Sequence, residues 1–421
     1  MINTTKQIKN KLVYLYSLKR LGIKEGLEHT LDLLESCGNP HHQLNTIHIA
    51  GTNGKGSTSS MLASILGSAG YKVGLYTSPH LIRFNERIIV NDQSISDDEI
   101  VSFLDKYDDE IDRIQSTFFE TTTVMALNYF YQKKVDIAII EVGLGVRLDS
   151  TNVISPQITA ITPISLDHQH ILGDDILKIA KEKSGIIKRN IPLVLSTQDR
   201  ELKSYILKVA QKMNSSVIDI GKISNINLTT SGTEFKSKWG KFTSPLIGYH
   251  QSQNSTTAIA IAKTFDSKIN HQTIQHGLNQ TKWNGRLQKI SNKLPIYYDV
   301  AHNAKGIDVT TDSIVSIYNK LPHIVLSIKG DKDVELISNE LINQYKSLII
   351  TGSNKLELMN ANELFKYFNN NSNHINIEMV DSLKNSFDIL INRVKSSHHP
   401  GIIMGSHYLA KAVFDKFGIF K

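Results

Sequence analysis

The sequence predicts an α/β protein of two domains, each built on a mainly parallel sheet, the second domain being the smaller. Three observations predict it. Near-continuous apolar runs such as "VDIAIIEVGLG" and "IPLVLST" alternate with amphipathic stretches, the pattern of strands buried on both faces beneath covering helices. A second series of the same kind opens at "LPIYYDVAHN" and continues through "HIVLSIKG", "SLIITGS", "NIEMVDS" and "GIIMGSHYL". The length of 421 residues exceeds the size at which a single core stops growing.

The elements follow in order. A first strand over 45–50 runs into "GTNGKGSTSS", and a helix over 57–69 is stopped by Gly70. A strand that gives way to a glycine-rich turn and then a helix leaves backbone N–H groups free to hold an anion, so this segment reads as a phosphate cradle around Lys55. Gly56 separates the lysine from Ser57, a variant of the usual P-loop order in which the hydroxyl follows directly. A tight turn with Lys55 in solvent is the alternative, and the ordered set of strand, glycines, lysine, hydroxyls and helix favours phosphate. A strand in "YKVGLYTSPH" comes next. Ser96 and Glu99 have capping-box spacing for a helix to about Ile114, and 121–134 is a further helix. Strands in "VDIAIIEVGLG" and "QITAITPISLDH", a helix in "DDILKIAKEKSGIIK" and a strand in "IPLVLST" complete the series. Residues 217–248, rich in Thr, Ser and Gly, read as a small antiparallel elaboration of the first domain. The polar segment "QKISNKL" sets the boundary, dividing the chain into residues 1–290 and 291–421.

Composition excludes several classes. With 40% hydrophobic and 21% charged residues the chain is an ordinary globular one. A net charge of +7 is dispersed instead of gathered in a tail, which does not call for nucleic acid and suits steering of ATP and other anions. The lone Cys37 excludes an intrachain disulfide and a cysteine metal cluster. No stretch has the length and apolarity to cross a bilayer, so a cytoplasmic monomer without membrane or nucleic-acid partners is expected.

Ligands of open α/β sheets collect at the carboxyl ends of the strands. Those ends carry Thr77 and Ser78, then Glu141, then Asp167 and His168. A carboxylate after a run as apolar as that before Glu141 needs a partner, and both Mg²⁺ and Arg147 qualify. The two imidazoles of "DHQH" are a weak metal signal, because "NPHHQL" shows histidine used freely elsewhere; His168 gains weight from its strand-end place. Ile176, Ile179, Ala180, Lys183 and Ile187 share one helix face, which puts Lys183 on the buried stripe. A buried lysine tends to neutrality, and a neutral amine adds carbon dioxide to give a carbamate able to ligate Mg²⁺. Snorkelling from the helix end and pairing with Glu141 are the alternatives.

The successive segments "AGTNGKGST", "TSPHLIRFNERI", "EVGLGVRLDSTN", "LDHQHILG", "AKEKSGIIK", "GYHQSQNSTTAIA", "WNGRLQ" and "DVAHN" resemble, in order from Ala50 to Asn303, the signatures of the folylpolyglutamate synthase and dihydrofolate synthase family within the Mur ligase superfamily. "KGDKD" is a fainter echo. The resemblance implies a Mur-ligase-type P-loop domain with a Rossmann-like second domain. It implies ATP phosphates on Gly54, Lys55, Gly56 and Ser57, completed by Asn254, Arg286 and Asp299. It implies Mg²⁺ on Ser78, Glu141 and His168, with Lys183 carbamylated; Lys55, Lys183 and His168 take the catalytic roles. Phe119, Glu120, Thr121 and Thr122, with Leu148, Asp149 and Ser150, lie toward a folate or dihydropteroate substrate. The implied reaction forms an acyl phosphate that the amine of L-glutamate attacks. Val146 stands where the family often has a second glycine, and Ser150 where alanine is common. "LKRLGIKEGLEH" looks more like the polyglutamate-adding members. A cell-wall amino-acid ligase of the same superfamily is the nearest rival, and a P-loop switch protein the rival from another class.

Overall fold

In the first sheet, β1 (Thr46–Ala50) is the strand that leads into the glycine-rich turn, and all of it is buried. With it stand β2 (Val73–Tyr76), β3 (Ile88–Val90), β4 (Gln93–Ser94), β5 (Ile137–Glu141), β6 (Ile158–Ile161), β7 (Leu193–Leu195) and β8 (Val217–Asp219). The computed structural model, which describes residues 2–22, 26–167, 175–353, 356–370 and 375–419, orders them β4-β3-β2-β5-β1-β6-β7-β8. β1 lies between β5 and β6, parallel to both, and only β3 runs against the rest, pairing antiparallel with β2 and with the edge strand β4. Helices on both faces bury side chains of either parity, which is why the central strands are apolar throughout instead of alternating.

Helix boundaries follow from local chemistry. The helix after β1, Lys55–Ser68, begins two residues earlier than the sequence reading because Gly54, at φ +86°, is its N-cap. It ends as expected: Gly70 N–H bonds Gly67 O at 3.0 Å and Tyr71 N–H bonds Leu66 O at 3.1 Å, the paired closure that a left-handed glycine permits. Ser96 and Glu99 form both arms of a capping box for the helix Asp97–Ile114. A second box, Thr117 with Glu120, starts the next helix at Phe118 instead of 121, and it ends at Gln132.

The antiparallel elaboration is placed differently from the sequence reading. β8 joins the first sheet parallel to β7, and the separate antiparallel sheet consists of β9 (Ser224–Thr229), β10 (Gly232–Ser237) and β11 (Gly240–Ser244). By compactness the chain forms one unit of Met1–Ile164, Asp175–Gly221 and Asn254–Gln280 and another of Ser165–Asp174, Lys222–Gln253 and Thr281–Lys421. β9 to β11 therefore group with the C-terminal segment, where the Tyr249 hydroxyl meets Ser316 Oγ at 2.6 Å.

The second unit's main sheet contains β12 (Gln288–Lys289), β13 (Ile296–Asp299), β14 (His323–Leu326), β15 (Ser347–Ile350), β16 (Ile377–Met379) and β17 (Gly401–Met404), ordered β12-β13-β17-β14-β15-β16. All neighbours pair in parallel except β12 with β13, so the polar segment after Leu287 is itself the start of this sheet. Tyr297, Ile324, Leu326, Leu348, Ile402 and Met404 fill its core. Among the described residues, no helix is long and apolar enough to cross a membrane.

Candidate active site

At the carboxyl end of β1 the chain turns and enters its helix through Gly54. A Cβ at Gly54 would lie 2.2 Å from Oδ1 of Asn254, which is buried on the helix Tyr249–Phe265. Two residues assigned to one nucleotide site from separate motifs thus touch. Lys55 Nζ donates to the carbonyls of Gly51, at 3.1 Å, and Thr52, at 3.2 Å. Lys183, 6% exposed on the helix Ile176–Ser184, donates to the same Gly51 carbonyl at 2.9 Å. Its amine is inside the protein, at the phosphate loop, and not extended to solvent. Ser57 is buried in the first turn behind Gly56, where backbone N–H groups and the helix dipole favour an anion.

Ser78 follows β2 and Glu141 ends β5; these strands pair in parallel, Tyr76 with Ile140, so both residues belong to the carboxyl ends of neighbouring strands. Glu141 is 3% exposed. Arg147, its alternative partner in the sequence reading, is exposed and lies 3.7 Å from Glu182 instead. His168 lies outside the described residues. A carboxylate and a hydroxyl are hard oxygen donors, the set that fits Mg²⁺. Among the described residues no group of three or more His, Cys, Asp or Glu gathers that could hold a metal ion.

Asp167 belongs to the second unit and is enclosed by three partners: Lys332 Nζ donates to Oδ1 at 2.9 Å, Asn303 Nδ2 to Oδ2 at 3.2 Å, and His302 Nε2 lies 3.5 Å from Oδ2. Leu166 and Asp167 therefore meet "DVAHN" and "KGDKD" in one cleft of about 610 Å³, which Lys305 and Asp331 also line. Sequence reading left Lys332 without a role. Nearby, Asp299 is buried, and its two oxygens accept N–H groups of Leu287 and Ala301 at 2.7 Å each. Burial pushes its carboxyl up from the ordinary range, opposed by the Arg286 guanidinium and these N–H groups. Asp299 thereby fixes the turn that carries Arg286.

On the expected substrate side, Glu120 caps its own helix through Thr117 N–H at 2.6 Å. Thr121 Oγ1 donates to Ser116 Oγ, and Thr122 Oγ1 donates to Phe119 O; both residues are fully buried. These three side chains brace the helix. Phe119 instead reaches the loop after β5: a Cβ at Gly143 would sit 2.3 Å from its Cζ, so only glycine admits the ring. In that loop Asp149 Oδ2 accepts Gly143 N–H at 3.1 Å and Leu144 N–H at 2.9 Å, while Oδ1 accepts Thr151 N–H at 3.0 Å and Thr151 Oγ1 at 2.5 Å. Burial raises the Asp149 carboxyl and these donors oppose the rise. Leu148 is half-buried and Ser150 buried. Val146 keeps a negative φ, Gly145 taking the left-handed position at φ +72°, so a β-branched residue fits where the family often has glycine. Sequence reading missed His48, whose Nε2 lies 2.8 Å from Thr151 Oγ1; burial, with Lys188 adding to it, pushes the imidazole down to about 3.

This loop at the end of a parallel strand, with both lysines, lies within residues 49–262, which match the Mur ligase middle domain family. The chain is 36% identical to the dihydrofolate synthase/folylpolyglutamate synthase of Bacillus subtilis over 76% of its own length and 79% of that protein. It is 33% identical to the folylpolyglutamate synthase of Lacticaseibacillus casei, over 80% and 84% of the two chains. The structure of Mycobacterium tuberculosis folylpolyglutamate synthase complexed with ADP and AMPPCP superposes with a TM-score of 0.88 at 27% identity, covering 97% of this chain and 99% of that one. The chain belongs to the folylpolyglutamate synthase family.

Proposed function

We propose that this protein joins L-glutamate to a free carboxylate of a folate, driven by ATP. The carboxylate oxygen attacks the γ-phosphorus and ADP departs; the glutamate amine then attacks the acyl phosphate, an amide forms, the amine loses a proton, and inorganic phosphate leaves with the carboxylate oxygen. The observation that carries this reading is the meeting of Lys55 and Lys183 at the Gly51 carbonyl, in the mouth of the glycine loop.

Lys55 exchanges its two loop carbonyls for the β- and γ-phosphates, while N–H groups of residues 54–57 wrap them. Asn254, Arg286 and Asp299 complete the nucleotide's surroundings. Ser78 and Glu141, with His168, would hold Mg²⁺, which would supply charge neutralisation for the transferring phosphoryl group. Lys183, buried at the Gly51 carbonyl, would carry a carbamate formed when its amine takes up carbon dioxide. Phe119 and Leu148–Ser150 face the pterin-bearing substrate, tetrahydrofolate or dihydropteroate. In the second unit, Lys305 and Lys332 line the cleft that would take the carboxylates of glutamate. Residues 1–290 serve ATP, joined by Asp299, and the rest of 291–421 the amino acid, in a cytoplasmic monomer.

The test is ADP release by purified protein with ATP and Mg²⁺, omitting glutamate and each pterin in turn. Release that requires both glutamate and a pterin supports the proposal; release indifferent to glutamate refutes it and favours a nucleotide switch.

A further inference from the structure

His48 lies on the strand that delivers the phosphate loop, yet its ring is tied to the loop after β5. It is fully buried, and its Nδ1 has no hydrogen-bond partner among the described residues. The direction of its one bond can be deduced. Three N–H groups point at Asp149, which marks that carboxylate as the acceptor, so Thr151 spends its single hydroxyl proton on Oδ1 at 2.5 Å. Thr151 Oγ1 is then left to accept from His48, and the imidazole carries its proton on Nε2. A bare Nδ1 is also the cheaper atom to bury alone. The chain of donors therefore runs one way, from His48 to Thr151 to Asp149, and ends where Asp149 closes the loop through Gly143 and Leu144. Gly143 is the residue on which the Phe119 ring rests.

We propose that His48 is a positioning residue for the pterin-bearing substrate, fixing the 143–149 loop and Phe119 through Thr151 and Asp149. The proposal rests on the reading that this loop faces the pterin. Its hydrogen bond goes to the loop after β5 and not to the phosphate loop, so the effect falls on one substrate.

Two substitutions separate the donor from the packing. His48→Gln keeps an N–H near the Nε2 position; His48→Leu keeps bulk and removes the donor. In steady-state assays His48→Leu raises KM for the pterin substrate about tenfold, the loss of one buried hydrogen bond, with kcat and the KM for ATP within about twofold, and His48→Gln stays within about twofold of wild type throughout. Hydrogen exchange at the Gly143 and Leu144 amides quickens in the leucine variant and not in the glutamine one. Should His48→Leu fail to fold, Thr151→Val carries the same expectation, with Thr151→Ser restoring wild-type behaviour. Unchanged pterin KM and unchanged exchange in the donorless variants overturn the proposal, as does an equal rise in both KM values. Wild-type ligation in the same assay keeps the two readings apart: its absence counts against the proposed function, while the exchange data judge His48 without any substrate.

Discussion

Replacing Gly54 by alanine perturbs the nucleotide site at one atom. Gly54 has φ +86°, where an L-residue costs about 1–2 kcal/mol, and its new Cβ would lie 2.2 Å from Asn254 Oδ1. Asn254 is 2% exposed and cannot swing into solvent, so its amide must leave its partners at a further cost of about 1–3 kcal/mol. Gly70→Ala is the matched control: φ is +94° at the other end of the same helix, and nothing lies within 4 Å of the new Cβ. Denaturant titration should show Gly54→Ala losing about 2–5 kcal/mol and Gly70→Ala only the backbone share. ADP calorimetry should show at least about tenfold weaker binding for Gly54→Ala and unchanged binding for Gly70→Ala. Equal destabilisation and equal ADP affinity in the two variants would refute the packing of the loop on Asn254.

Lys55→Ala should abolish ligation with circular dichroism unchanged, since the side chain packs against loop carbonyls and no core; near-normal turnover at saturating ATP would remove its assigned role. Glu141→Gln should sharply raise the Mg²⁺ concentration needed for half-maximal rate, and a metal dependence equal to wild type counts against it as a ligand. Lys183→Ala should lose ligation and Lys183→Arg should fail to restore it, because arginine forms no carbamate; a fully active arginine variant with an unmodified amine in the wild-type crystal contradicts the modification. Burial, aided by Lys188, holds the His48 imidazole at about 3 against an ordinary 6.5, so the unfolded chain takes up a proton that the folded one refuses. Stability present above about pH 6.5 is thus lost as pH falls toward 3, by up to about 1.4 kcal/mol per pH unit, and His48→Gln should flatten that slope; superimposable pH curves would show that His48 does not titrate this way.

What the sequence made legible was periodic or contiguous. Apolar strand runs, the stripe carrying Lys183 and the Ser96 capping box are written within one turn or one strand, and each appears where expected. The helix start at Phe118 is equally local, but the sequence reading turns Glu120 toward the substrate and gives Thr117 no part. What stayed hidden depends on strands brought together by the fold. Gly54 against Asn254, Asp167 against Lys332, and His48 against Thr151 each join segments that carry no mutual pattern in the chain. The grouping of β9 to β11 with the second unit is of the same kind, since strand composition does not reveal it.

The acyl phosphate is the step on which all site assignments converge, and isotope transfer reads it directly. A folate acceptor labelled with oxygen-18 in its free carboxylate is incubated with the protein, ATP, Mg²⁺ and L-glutamate, and the inorganic phosphate is analysed by mass spectrometry. The account predicts one labelled oxygen in each phosphate released, matched by one new amide bond in the folate product. Unlabelled phosphate, released at the same rate without the acceptor, would show water attacking ATP directly and would contradict it.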